Sequence, residues 1–228
     1  MRPFLSISFA FLLMISYISY RSCFGFIKSI GGGFTHFTFN KPVVDARRLF
    51  SSKFEEYIFR KPLIKSESND KVKVMKAIIS NKKKRDSLSL VALEGHRQVI
   101  DAVLFGLVGC NFLVTEKAFE SVLKDDLLEA LRKSSDAGAQ VDLVSETVFR
   151  SISETVNGQG VVASFKKPVG ITELPFVAGR SPVVVILDRL ADPGNVGTII
   201  RTAYGLGADA IIIADGCDLW NPKVIRLI

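Results

Sequence analysis

Between Leu90 and Phe165 the apolar residues switch repeatedly between two spacings. Leu90–Leu93 is an apolar run too short for a helix and reads as a strand. Within Glu94–Gly109 the residues Val99, Ile100, Val103, Leu104, Leu107 and Val108 fall at helical spacing. Phe119, Val122, Leu123, Leu127, Leu128 and Leu131 do the same within Ala118–Leu131. Strands are predicted at Asn111–Thr115, Gln140–Val144 and Val161–Phe165, and Ser145 is placed to cap a helix over Ser145–Ile152. This alternation predicts a β-α-β-α-β module of mixed α/β class. A second unit starts at Ser181. Val183–Leu187 is an unbroken apolar run of the kind buried on both faces of a parallel sheet. Asp188–Asn195 carries turn chemistry, Val196–Tyr204 reads as a helix ended by Gly205 and Gly207, and Ala210–Ala214 reads as the next strand. Such a β-loop-α-β unit is expected to be parallel, with its loop where open α/β sheets bind ligands. Alone it is too short to bury an independent core, and its strands would keep open edges.

The front of the chain follows neither pattern. No acidic residue precedes Asp45, whereas Arg2, Arg21, Lys28, Lys41, Arg47 and Arg48 are basic. An acid-poor, Ser- and Arg-containing leader suits an organellar transit peptide, with processing near Arg47–Ser52. The apolar run Phe4–Tyr20 behind Arg2 also suits a signal peptide or a short membrane anchor. Residues 1–50 are therefore read as a targeting segment or apolar leader. A mitochondrial address is the expectation, and the secretory pathway or membrane anchoring the alternative. Gly31–Gly33 marks a break within it.

Charge narrows the class of partner. A formal net charge of +7 and a pI near 9.4 favour an anionic partner, nucleic acid or anionic membrane. Lys71, Lys73, Lys76, Lys82, Lys83, Lys84 and Arg85 concentrate the charge just before the module. Residues 51–85 are read as a basic linker whose Lys82, Lys83, Lys84 and Arg85 contact phosphates. Cysteine usage excludes other classes. Cys23, Cys110 and Cys217 are odd in number and form no CxxC pair, and with two histidines, His36 and His96, they support neither a disulfide framework nor a metal site. Cys110 and Cys217 are expected as buried apolar thiols.

Candidate chemistry gathers at three places. Leu93–Arg97 reads LEGHR, and Glu94 is expected to open a helix where its carboxylate meets the helix dipole. His96 is expected at the surface. Thr155–Ala163 reads TVNGQGVVA, where glycines permit the turn and Asn157 and Gln159 offer amides to an RNA. Asp192–Ala203 reads DPGNVGTIIRTA. Neither a dinucleotide fingerprint nor a phosphate-binding P-loop is present. Taken alone, Asn195 is a helix cap and Arg201 a solvent-facing helix residue.

Together these segments resemble the SpoU-type RNA ribose 2'-O-methyltransferases. Asp192–Ala203 resembles the family's first motif almost throughout. Cys217–Arg226, CDLWNPKVIR, resembles the element that follows it, in the form seen in mitochondrial large-subunit rRNA members. LEGHR and TVNGQGVVA resemble the two ends of the family's substrate-binding domain. The resemblance implies an L30e-like RNA substrate-binding domain over 86–168, a linker over 169–180, and the first part of a SPOUT (trefoil-knot) methyltransferase domain over 181–228. It implies methyl transfer from S-adenosylmethionine to a ribose 2'-hydroxyl of rRNA or tRNA, rRNA being favoured.

Among site residues, the resemblance makes Arg201 the essential arginine and Asn195 the asparagine that supports it or the substrate. An arginine does not readily give up its proton, so an electrostatic and positioning role is expected. Glu94 and Gln159 join the RNA-binding set. The family forms homodimers and uses no metal. Its cofactor-binding residues lie beyond the segment matching Cys217–Arg226, so this chain is expected to lack the cofactor site and to be inactive by itself. A non-catalytic RNA-binding protein built on the module is the alternative.

Overall fold

The two spacings fold as two sheets with one shared interior. The structure is a computed structural model, and its described residues are 5–6, 46–169, 179 and 181–228. Most of the leader, with the run Phe4–Tyr20 apart from Leu5–Ser6, lies outside them, as does most of the linker 169–180. Among the described residues no helix is long and apolar enough to cross a membrane.

In chain order the elements are β1 (Leu5–Ser6), α1 (Ala46–Phe59), α2 (Asp70–Ser80), α3 (Lys82–Leu88), β2 (Leu90–Glu94), α4 (His96–Leu104), β3 (Gly109–Val114) and α5 (Lys124–Asp136). They continue as β4 (Gln140–Leu143), α6 (Glu146–Ile152), β5 (Val161–Lys166), β6 (Val184–Leu190), α7 (Pro193–Gly205), β7 (Ala210–Gly216) and α8 (Pro222–Leu227).

The module's sheet runs β2-β5-β3-β4, antiparallel except for the β3–β4 pair. Successive side chains on a strand point to opposite faces, and the burial follows that rule. Val91 and Leu93, Phe112 and Val114, and Val161, Ala163 and Phe165 enter a core with Val99 and Val103 of α4 and Leu127 and Leu131 of α5. Phe112 and Phe165 meet edge to face at 5.5 Å. Ala92, Leu113 and Val162 face the other way, onto Val72, Met75 and Ile78 of α2 and Phe149 of α6. The module is thus a three-layer sandwich.

Several expectations change here. The stretch 51–85, read as a linker, is largely helical, and α2 builds one of the sandwich's outer layers. Asn69 caps α2 and Asn81 caps α3, each by accepting backbone N–H bonds. The helix expected over Ala118–Leu131 is two pieces, a 3-10 turn at Glu116–Glu120 and α5. Val122, counted on its apolar face, projects fully into solvent between them. Ser145 caps α6, its Oγ accepting from the Val148 N–H at 3.3 Å.

The second unit is parallel, with Val184 paired to Ala210 and Leu187 to Ile213. β1 pairs antiparallel with the other edge of β7. The strand β6 runs on to Leu190 and α7 begins at Pro193, so the loop expected over Asp188–Asn195 shrinks to Ala191 and Asp192. One face of β6 is covered: Leu187 is buried, but Ile186 is 63% exposed. Burial on both faces is therefore not seen among the described residues. The unit does not need a core of its own. Leu187, Val196, Ile200, Ile211, Trp220 and Val224 belong to the same apolar cluster as the module's α4–α5 face.

A buried ion pair joins the units. Arg85 of α3 is 3% exposed. Its Nε and Nη2 donate to Asp218 Oδ2 at 3.1 and 2.6 Å, and its Nη1 donates to the carbonyls of Ile78 and Ile79. Arg85 is therefore a structural residue and not the phosphate contact that its lysine-rich neighbours suggest. Lys82, Lys83 and Lys84 stay exposed.

Candidate functional site

Two polar surfaces carry the residues singled out by the sequence. The first is a cleft of about 600 Å³ at the start of α4. Gly95 turns the chain there with φ of +102°, a conformation open to glycine, so that β2 ends and α4 begins within two residues. Glu94 closes β2 and does not open the helix; the dipole reading is thereby replaced. Its side chain is 8% exposed. The carboxylate accepts from the hydroxyls of Ser153 and Thr155 and from the Glu154 N–H. It thus fixes the start of the loop that leads to Gln159.

His96 is buried, 4% exposed, contrary to the surface placement expected. Its Nε2 lies 2.7 Å from the Ala118 carbonyl, which makes Nε2 the protonated nitrogen. Gln159 Oε1 accepts the His96 backbone N–H at 2.8 Å, and thereby supplies the cap that Gly95 lacks. With the oxygen so used, the Gln159 side-chain NH2 is left as a donor. Gly158 is required for packing: a Cβ there would lie 2.6 Å from the Phe149 ring.

Arg226 was absent from the sequence-derived set of site residues, yet it lines this cleft from α8. Its Nη2 lies 3.7 Å from Glu94 and 3.9 Å from Glu154. The sequence signal available was only its place at the end of CDLWNPKVIR. Its partners lie far back in the chain.

The second surface is α7. Asp192, and not Asn195, is its cap: the carboxylate accepts the Asn195 N–H at 2.9 Å, and Pro193 follows in the first turn. Asn195, Thr198, Arg201 and Thr202 form one exposed stripe. Asn195 and Arg201 are six residues apart, about 9 Å along the axis. No hydrogen bond joins their side chains among the described residues; Arg201 Nε donates to the Ile228 carbonyl at 3.3 Å. The opposite face of α7 lies close against α8, where a Cβ on Gly197 would be 2.8 Å from the Val224 carbonyl oxygen.

The carboxyl ends of β6 and β7, where a ligand of a parallel sheet is expected, are drawn together. The Cys217 N–H donates to the Leu190 carbonyl at 2.7 Å, and a Cβ on Gly216 would lie 2.5 Å from that oxygen. These residues leave no cradle for an adenosyl group. Cys110 and Cys217 are half-buried thiols. Burial pushes both up in pKa, and Asp218 and Asp192 add to the effect at Cys217.

A sandwich with a polar cleft, joined by a buried ion pair to a parallel β-α-β unit that presents an asparagine and an arginine, has the layout of a substrate-binding domain ahead of a methylase domain. Residues 69–163 match the MRM3-like substrate binding domain, and residues 182–228 match the SpoU rRNA Methylase family. The chain belongs to the SpoU methylase family. It is 32% identical over 153 residues to human mitochondrial rRNA methyltransferase 3, covering 65% of this chain and 34% of that protein. It is 32% identical to the 23S rRNA (guanosine(2553)-2'-O)-methyltransferase RlmP of Bacillus subtilis, covering 72% of this chain and 59% of RlmP. The AdoMet-bound rRNA methyltransferase from Sinorhizobium meliloti superposes with a TM-score of 0.62 at 30% identity, covering 73% of this chain and 59% of that one. The chain spans between about a third and three fifths of the length of these relatives.

Proposed function

We propose that this chain supplies the RNA-binding module and the first catalytic motif of an RNA ribose 2'-O-methyltransferase acting on rRNA in mitochondria. The observation that carries the reading is the exposed stripe of α7, with Asn195 and Arg201 on a helix held rigidly by the Asp192 cap and by α8. A ribose hydroxyl is a weak nucleophile and must be oriented before it reacts. Arg201 offers a permanent charge to the neighbouring phosphate and to the oxygen as negative charge develops on it. Asn195, one and a half turns earlier, is placed to orient the sugar or phosphate. S-adenosylmethionine, the cofactor named for the Sinorhizobium relative, would donate the methyl group in the complete protein. The residues described here do not fit that cofactor, so no step is assigned to it. A homodimer is the assembly proposed for the complete protein.

The test uses the full-length protein, a mitochondrial rRNA fragment and a tritiated methyl donor. Arg201→Ala is expected to lower kcat by about 100- to 1,000-fold, the usual effect of losing one transition-state donor. RNA affinity is expected to change far less, because the module stays intact. Undiminished methylation by the variant would remove Arg201 from the mechanism.

A further inference from the structure

The cleft beside α4 has features that methyl transfer at α7 does not use. Val122 and Val156 are both fully exposed. Isolated exposed valines are ordinary, but these two flank one cleft. Val122 lies between the lining residues Ser121 and Leu123, and Val156 between Thr155 and Asn157. The walls carry the amides of Gln98, Asn157 and Gln159, the last with its NH2 free to donate. Arg97 and Lys117 also line the cleft, and neither has an ion-pair partner among the described residues. The floor is set by the buried Glu94 carboxylate, already satisfied by the loop hydroxyls and Arg226.

An apolar rim, amide-bearing walls and unpaired cations complement the three parts of a nucleotide: a flat apolar face, a hydrogen-bonding edge and a phosphate. A volume of about 600 Å³ lies within the usual range of small-ligand sites, about 300–1,000 Å³. A paired base cannot enter, because its edge and faces are already used in the duplex. A base in a bulge or loop can enter at the least cost. The geometry points to a recognition pocket for one unpaired nucleotide of the substrate RNA, separate from the nucleotide presented to Arg201. This rests on the RNA reading above and deepens it: the substrate class is a folded RNA with an extruded base.

The experiment compares the 228-residue chain with two fluorescent RNAs, a short duplex and the same duplex carrying one bulged nucleotide. The bulged RNA is expected to bind about tenfold more tightly, the scale of contact with a single base. The double variant Val122→Ser/Val156→Ser, at positions that support no core, is expected to lose most of that margin while keeping its affinity for the duplex. A 4-thiouridine at the bulge is expected to crosslink within 95–98 or 155–159. Equal affinity for the two RNAs, or a margin unchanged in the double variant, overturns the pocket and leaves the RNA reading standing. A chain that binds neither RNA overturns both.

Discussion

The Arg85 guanidinium makes four hydrogen bonds, two to Asp218 and two to main-chain carbonyls. Removing Asp218 leaves the cation buried with half its partners. Breaking a buried pair from one side costs about 3–5 kcal/mol. Asp218 is itself slightly exposed, so Asp218→Ala is expected near the lower end, at about 3 kcal/mol, read as a lower urea midpoint. Arg85→Lys is not expected to be conservative, because an ammonium cannot reproduce the fork. The sequence could not separate Arg85 from the three lysines before it. Its rotation about α3 turns it inward, and its partner lies 133 residues further on.

Cys217 predicts a pH dependence of opposite sense to that of a paired carboxylate. Its pKa is raised in the folded protein by burial, then by Asp218 and Asp192. Above the ordinary thiol pKa of about 8.5, the unfolded chain loses this proton while the folded one keeps it. The unfolded state then binds fewer protons, so stability falls as pH rises through that window. Equilibrium unfolding at successive pH values is expected to show this loss, and Cys217→Ala to reduce it.

At the scale of elements, local chemistry was legible wherever one residue sufficed to fix a boundary. Ser145 before α6 and the apolar runs of β2 and β5 are of that kind. Asn195 misled because two cap-forming residues sit three positions apart, and Pro193, favourable in a first helical turn, fits with Asp192 as the cap. The break before α5 was hidden because Val122 completes the helical spacing while packing against nothing. Gly197 gives a prediction in which two effects compete. In a helix interior, Gly→Ala ordinarily gains about 1 kcal/mol. Here the added methyl would meet Leu227 Cβ at 2.7 Å and the Val224 carbonyl oxygen at 2.8 Å. Backbone cannot step aside as a flexible side chain can, and overpacking costs about 1–3 kcal/mol. Gly197→Ala is therefore expected to lower Tm, whereas Gly205→Ala on the same helix, with nothing within 4 Å of its Cβ, is not.

For the whole molecule, the module's layer order was readable from the period of its strands. The joint between the units was not, because Arg85–Asp218 and Glu94–Arg226 pair residues from opposite ends of the described chain. That joint makes a whole-molecule prediction. Trp220, the chain's single tryptophan, is buried at the β7–α8 turn, while most of the helix lies in the module. Tryptophan fluorescence and far-ultraviolet circular dichroism are expected to report the same denaturant midpoint. Separate midpoints would mean that the units unfold independently.

Glu94 answers at once to the loop hydroxyls, to the Glu154 N–H and to Arg226 on a different unit. Changes at positions 94, 154 and 226 will therefore not add as independent effects. In directed evolution of this protein, the three positions have to be randomised together, because an improvement at one is visible only in the right background at the other two.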